Sequence, residues 1–184
     1  NEGHSGRLDI TATTFTINTG AIVALDNLGD VGGVARYANG QGTGYGYGTT
    51  NTNQGGGGAS YGGTGGDGYT SYGQAAAYGS LSEPTDLGSG GGGAYTGDGG
   101  NGGGAIKLTI SGVLTVNGVI TTNGQTTLYE DQYGLGGGGS GGSVYIVTNS
   151  IVGSGTIRAN GGSGLSASTN YDGGGGAGGR ISIK

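Results

Sequence analysis

The sequence predicts an all-β protein, built as a glycine-rich parallel β-solenoid with repeats of about 37–38 residues and polyglycine II-type segments between its strands. Three observations lead to this fold class. Glycine occupies 54 of the 184 positions, short aliphatic stretches alternate with polar residues, and one arrangement of glycine run and strand recurs along the chain. The length is typical of one domain. We therefore expect a single repeat domain over residues 1–184.

The recurring unit is a glycine run followed directly by an aliphatic strand. The stretch GGGGSGGSV at 136–144 returns as GGGGAGGRI at 173–181, and more loosely as DGGNGGGAI at 98–106. Behind this junction, VLTVNGVITTNG at 113–124 aligns without gaps with SIVGSGTIRANG at 150–161. Self-similarity at a fixed period is the signature of repeat architectures.

The first aliphatic residue of each copy marks the period. Leu8, Ile106, Val144 and Ile181 are separated by 98, 38 and 37 positions. The first interval is longer than two periods, and residues 28–97 contain few aliphatic alternations. We expect residues 28–97 to form an insertion, rich in glycine and tyrosine, within the repeat domain.

Alternating apolar residues within each copy indicate short strands with one buried face, as at Leu8 and Ile10. Asn-Gly pairs separate several of these strands. A two-residue Asn-Gly connection fits a type I′ hairpin, so the runner-up fold is an antiparallel β-sandwich. A unit that returns every 37–38 residues favours parallel strands, because equivalent aliphatic residues of successive copies then form a continuous ladder.

The glycine runs are expected to be ordered, although flexible linkers have the same composition. Each run stands in the same position relative to its strand. A polyglycine II helix makes no internal hydrogen bonds, so all its N–H and C=O groups can bind neighbouring segments. Each repeat would then contribute strands to a thin core and a glycine segment to an adjoining hydrogen-bonded layer.

The stretches GGGGSGGSVYI, GGGGAGGRISI, VNGVITTNG and GTIRANGG resemble the glycine-rich repeats of large bacterial surface and extracellular proteins. The glycine layers are similar to the polyglycine II bundles of phage tail-fibre adhesins and of a springtail antifreeze protein. The resemblance covers residues 98–184 and, more weakly, 1–28. It implies an extracellular or cell-surface location. The chain lacks the strict Gly-X-X period of an antifreeze bundle and has no evident repeated receptor-binding loop.

Aliphatic strand residues lie at both ends of the repeat array without an evident cap: Leu8 and Ile10 at one end, Ile181 and Ile183 at the other. Exposed strand edges pair with further chains unless something covers them. The sequence therefore predicts a structural protein, not an enzyme, whose copies assemble head to tail into an extracellular filament or surface fibre. Alternatively, residues 1–184 are a slice of a longer repeat protein whose neighbouring repeats supply the caps.

Tyrosine is the main aromatic residue, with 12 copies against one Phe and no Trp. Tyrosine among glycine and serine is typical of adaptable binding surfaces, and it also suits packing over glycine layers. An adhesin that binds glycans or a receptor is therefore the alternative function, and ice binding is a third because of threonine-rich stretches. The candidate surface contacts are Tyr45, Tyr47, Tyr61, Tyr69, Tyr72 and Tyr78.

Residues that carry chemistry are scarce. His4 is the single histidine and there is no cysteine, which excludes multi-histidine and thiolate sites. GGTGGDGYT at 62–70 matches one calcium nonapeptide, with Asp67 as a weak candidate ligand, but such sites need tandem copies that share each ion. No cofactor is expected. The six Lys and Arg residues form no basic stripe for nucleic acid, and no apolar run is long enough to span a membrane.

Overall fold

The computed structural model describes residues 6–34, 37–51, 54–68, 75–127, 134–166 and 171–184. These residues contain β-strands and no helix. The strands are β1 (Arg7–Ala12), β2 (Phe15–Ile17), β3 (Ile22–Ala24), β4 (Ala105–Val116), β5 (Val119–Thr121), β6 (Ser143–Val152), β7 (Thr156–Arg158) and β8 (Arg180–Ile183). They hold 28% of the described residues, so most of the described backbone lies outside regular strands.

The strands form two parallel sheets. The first sheet has the order β1-β4-β6-β8, and β2 also pairs with β4, beyond the end of β1. The second sheet has the order β3-β5-β7. Short corners carry the chain from the first sheet to the second between β2 and β3, between β4 and β5 at Asn117-Gly118, and between β6 and β7.

The predicted β-solenoid is wrong. Among the described residues the strands make two separate sheets, and no closed coil of strands surrounds a core. The described parts of the return from the second sheet to the first are glycine-rich backbone without strands, and many of their hydrogen bonds go to other glycine segments. The runner-up antiparallel β-sandwich is wrong as well, since all the strand pairs are parallel. The Asn-Gly corners join different sheets and make no hairpins.

The internal repeat sets the register of these sheets. Leu8 is the partner of Ile106, Ile106 is the partner of Val144, and Val144 is the partner of Ile181. These residues mark equivalent positions in the aligned copies. A parallel sheet in this register stacks aliphatic residues on aliphatic residues across every strand.

The core is a thin aliphatic cluster that joins both sheets. Buried members come from the long strands β4 and β6 and from the second sheet, whose Ile120 is fully buried. The buried side chains are Ile17, Leu25, Ile106, Leu108, Ile110, Leu114, Val116, Ile120, Val144 and Ile146. Leu8, Ile10, Phe15, Val23 and Ile157 pack against this cluster from partly buried positions.

The glycine runs form a hydrogen-bonded layer beside the sheets, which we call the glycine layer. Its segments bond to more than one neighbour, as a series through four of them illustrates: Gly91 N donates to Gly100 O (2.9 Å), Gly100 N to Gly137 O (2.8 Å), Gly137 N to Gly92 O (2.8 Å) and Gly92 N to Gly57 O (2.9 Å). Backbone groups that would otherwise be buried without partners are satisfied in this way.

Glycine is required here by the close approach of neighbouring backbones. A Cβ atom on Gly137 would lie 2.0 Å from the carbonyl oxygen of Gly57, and one on Gly91 would lie 2.0 Å from the carbonyl oxygen of Gly137. Cβ atoms do not come within 3.0 Å of such atoms. The composition that suggests a flexible linker is therefore the composition that this packing needs.

Candidate functional site

One of the predicted surface tyrosines, Tyr61, is buried, and a second, Tyr78, packs against it from a half-buried position. Tyr61 is 0% exposed, its hydroxyl lies 2.6 Å from Ser143 Oγ, and its ring centroid lies 4.6 Å from that of Tyr78. The Tyr78 hydroxyl donates to Leu87 O at 2.6 Å. Burial raises the pKa of both phenols, so both remain neutral at physiological pH. Tyr61 leaves no surface for an external ligand.

The remaining candidate tyrosines are more accessible. Tyr45 and Tyr47 are half-buried and form a pair whose ring centroids are 5.0 Å apart. Tyr69 and Tyr72, together with His4, lie outside the described residues. Asp67 is exposed, and the described residues contain no group of three or more His, Cys, Asp or Glu side chains that could hold a metal ion.

A segment of residues 79–87, which we call the strap, crosses the face of the first sheet opposite the core. It contacts side chains that alternate with the core residues along β1, β6 and β8. These contacts are Arg7 Nη1 to Thr85 O, Ser143 Oγ to Asp86 O at 2.6 Å, Ser182 Oγ to Ser82 O at 2.8 Å and Lys184 Nζ to Glu83 Oε1 at 2.8 Å. The Lys184 ammonium lowers the pKa of Glu83. The repeat pattern of the sequence contains no signal for this segment.

The outer edge of β8 is an open sheet edge within the described chain. Ile181 is 44% exposed and Ile183 is 47% exposed, although both continue the aliphatic ladder of the core. Arg180 N donates to Gly142 O at 3.0 Å and Lys184 N donates to Ile146 O at 2.9 Å. Because alternate residues of a strand turn their backbone groups to opposite sides, the N–H and C=O groups of Ile181 and Ile183 point away from β6.

The opposite edge of the first sheet is formed by β1 and β2. Ala105 N donates to Gly6 O at 2.7 Å, so the backbone groups of Leu8 and Ile10 point to β4. Leu8 and Ile10 are partly buried against the core. The predicted assembly residues therefore lie at the two ends of one aliphatic ladder, with β4 and β6 between them.

The β8 end of the molecule has a step. β8 pairs with residues 143–146 of β6, whereas residues 150–152 of β6 and the strand β7 have no further strand beside them in the described part of the chain. Ile151 is 40% exposed and Val152 is 49% exposed. We call residues 150–152 and β7 the step.

Side-chain oxygens of Asp and Asn form a ladder along the corners after the second sheet. Asp26 Oδ1 accepts a hydrogen bond from Asn123 N at 2.6 Å, and Asn123 Oδ1 accepts one from Asn160 N at 2.8 Å. Asn160 is the last member and is exposed.

A polar groove of about 220 Å³ lies over the glycine layer. Gln125 Oε1 accepts a hydrogen bond from Asn101 N at 3.0 Å. Thr127 is 3% exposed, and its hydroxyl has no hydrogen-bond partner within the described residues. The side chains that line the groove are those of Val31, Val34, Asp98, Asn101, Gln125 and Thr127.

Threonine rows across the sheets are short. Thr11 is the partner of Thr109, but Val147 follows in the row. Thr121 is followed by Arg158. The described sheets therefore offer no threonine face more than two strands wide, which an ice-binding surface would need.

No protein-family model, curated protein sequence or solved structure matches the chain. Within the described ranges, no helix has the length and apolar character needed to cross a membrane.

Proposed function

We propose that the protein is a structural subunit of an extracellular filament or surface fibre, in which copies of the chain assemble head to tail through the ends of the first sheet. The observation that carries this proposal is the open aliphatic ladder at β8. Ile181 and Ile183 stand in register with the buried residues Val144 and Ile146, yet nearly half of each side chain is exposed.

An open edge of this kind is suited to strand addition. Unpaired N–H and C=O groups on an edge strand template the pairing of another strand. Covering the exposed parts of Ile181 and Ile183 would contribute roughly 1 kcal/mol for each side chain. The two ends of the ladder are different surfaces of one molecule, so the contact is heterologous and propagates into a filament instead of closing as a dimer.

Electron microscopy and sedimentation velocity of the purified protein test this proposal. We expect filaments with a uniform axial repeat, and a loss of filaments in the double variant Ile181→Lys/Ile183→Lys with its melting temperature retained. Val113→Lys is the matched control, because Val113 is also an exposed aliphatic strand residue, at 40%, but lies on β4 in the middle of the first sheet. Monomers at high concentration, or filaments that persist in the double variant, would contradict the proposal.

A second candidate function, an adhesin that binds glycans, is favoured by the polar groove. Amide, carboxylate and hydroxyl groups beside an apolar patch are the groups that a sugar can contact, and Val34 in this groove is 64% exposed. A glycan array tests this candidate. Val34→Asp should remove binding without lowering the melting temperature, because Val34 is an exposed apolar residue that lines the groove. An array without any bound glycan would count against it.

A further inference from the structure

We propose that the joint between two copies is interlocked: β8 of one copy takes the place of β1 on β4 of the next copy, and β2 and β3 of that next copy fill the step. This inference rests on the proposed head-to-tail assembly and specifies its register. It is argued from the match between β8 and β1 in sequence and register and from the exposed apolar side chains of the step.

β8 has the sequence needed to replace β1. The strand RISI at 180–183 matches RLDI at 7–10, with Arg in the first position and an aliphatic residue in the second and fourth positions. Both strands occupy equivalent places in the register, since Arg7 is the partner of Ala105 and Ala105 is the partner of Ser143, which in turn pairs with Arg180. β4 of the next copy would therefore meet the same pattern of side chains.

Simple addition of β1 onto β8 would leave the step empty. In that arrangement β2 and β3 of the next copy lie two strand spacings from β6 and β7, about 9.6 Å. Ile151 and Val152 would then stay exposed beside a gap. Strand exchange removes one layer from the joint and brings β2 against β6 and β3 against β7.

The register of this contact follows from the strand pairs already present. Leu114 pairs with Phe15 on one side and with Ile151 on the other, so the next copy's Phe15 would lie on Ile151. Ile120 pairs in the same way with Val23 and with Ile157. The next copy's Val23 would then lie on Ile157, and the apolar surface of the step would be covered.

Polar groups at the step also match those of the arriving strands. The next copy's Asp26 would take the position above Asn160, so that its N–H could donate to Asn160 Oδ1 and continue the ladder Asp26, Asn123, Asn160. Arg158 lies two residues before Asn160 on the same face of the chain, within reach of that copy's Asp26 carboxylate across the diagonal of a strand pair. The joint would therefore place one basic side chain of the step beside one acidic side chain of the arriving copy.

β1 is the strand beside β4 that can be displaced, although its displacement also breaks the contact of Arg7 with Thr85 O. It is an edge strand whose residues alternate between exposed and half-buried positions, and within the described chain it pairs only with β4. Edge elements of this kind open locally more easily than central strands. The incoming β8 restores four of the six pairs that β1 makes with β4.

Disulfide trapping distinguishes the interlocked joint from simple addition. Thr16 and Val152 are both register partners of Thr115, so in one chain they are two strand spacings apart, about 9.6 Å, and cannot form a disulfide. In the interlocked joint the Val152 position of one copy is adjacent to the Thr16 position of the next, about 4.8 Å away. The variant Thr16→Cys/Val152→Cys, assembled after reduction and then oxidised, should give a ladder of covalent multimers on a non-reducing gel.

The matched control is Asp9→Cys/Ser182→Cys, which reports simple addition of β1 onto β8. These positions are three strand spacings apart within one chain, so they too can be bridged only between copies. The natural chain has no cysteine, and single-cysteine variants show the background of dimers. Melting curves of the reduced variants verify that each one folds.

The outcomes separate this inference from the proposed function. Filaments that become covalent multimers through positions 16 and 152, and not through 9 and 182, support the interlocked joint. Filaments trapped only through 9 and 182, or through neither pair, overturn the interlocked joint and leave head-to-tail assembly in place. If the natural chain forms no filaments and neither pair is trapped, both proposals fall.

Discussion

The hydroxyl oxygens of Tyr61 and Ser143 lie 2.6 Å apart and join residues that are 82 positions apart in the chain. Ser143 Oγ also lies 2.6 Å from Asp86 O of the strap and donates to it. A serine hydroxyl has one proton to donate, so the Tyr61 hydroxyl must be the donor to Ser143. One short chain of hydrogen bonds thus connects the glycine layer, the first strand residue of β6 and the strap.

Tyr61→Phe should destabilise the fold by about 1–2 kcal/mol, because it leaves the buried Ser143 oxygen without its donor. Denaturant unfolding of the natural and variant proteins measures the difference. The control is Tyr95→Phe, whose side chain is 41% exposed and should cost less than about 0.5 kcal/mol. Equal effects of the two substitutions would show that the Tyr61 hydroxyl does not stabilise this junction.

Gly137→Ala should be among the most destabilising single substitutions in the protein. The added Cβ would lie 2.0 Å from the carbonyl oxygen of Gly57, and relieving this overlap requires the glycine layer to separate, at a cost of about 3 kcal/mol or more. Gly63→Ala is the matched control, because no atom lies within 4 Å of its added Cβ. Gly63→Ala should be neutral or stabilising by up to about 1 kcal/mol. Thermal unfolding of both variants decides whether the glycines are required by packing.

The register of the sheets could be predicted from the sequence, whereas their architecture could not. Aligning the copies pairs Ile106 with Val144 and Val144 with Ile181, and these are the register partners in the first sheet. Alternation of apolar residues shows which side chains share a face, but it carries no information on where one sheet ends and the next begins. The solenoid prediction failed because the described returning segments are not β-strands. Their glycine N–H and C=O groups form hydrogen bonds with other glycine segments instead.

Contacts between residues that are far apart in the chain could not be predicted from the sequence. Tyr61 and Tyr78 lie in sequence surroundings that are typical of surface tyrosines. Only the folded chain shows that their rings pack against each other. It also shows that the guanidinium carbon of Arg180 lies 5.5 Å from the Tyr61 ring centroid. The match between RLDI and RISI was readable in the sequence. Its meaning as two interchangeable strands required the positions of β1 and β8 in the sheet.

Asp30→Asn should raise the melting temperature at pH 7 by about 1–3 °C. Burial raises the pKa of Asp30, and the nearby Arg7 offsets this only in part. A carboxyl whose pKa is raised in the folded state favours folding in its protonated form, so its contribution is present below the unfolded pKa of about 3.9 and is lost as the pH rises through the folded pKa. The gain from Asp30→Asn should therefore shrink towards zero as the pH falls to about 3. Calorimetry from pH 3 to pH 7 measures it, and a gain that is constant over this range would contradict the assignment.

Asn123 and Asn160 belong to the same ladder. We expect the loss of the Asn123 side chain to lower the stability of the single chain and the loss of the Asn160 side chain to weaken filament assembly. Asn123→Ala removes the acceptor of Asn160 N and the donor to Thr121 Oγ1, which lie at 2.8 Å and 2.7 Å, and should destabilise the single chain by about 1–2 kcal/mol. Asn160→Ala removes an exposed side chain at the end of the ladder and should leave the melting temperature of the single chain unchanged. It should instead raise the concentration needed for filament formation by about fivefold, since one hydrogen bond of about 1 kcal/mol is lost at each joint. Melting curves below that concentration and light scattering above it separate the two effects, and a destabilised Asn160→Ala monomer with normal assembly would show that Asn160 acts within its own chain.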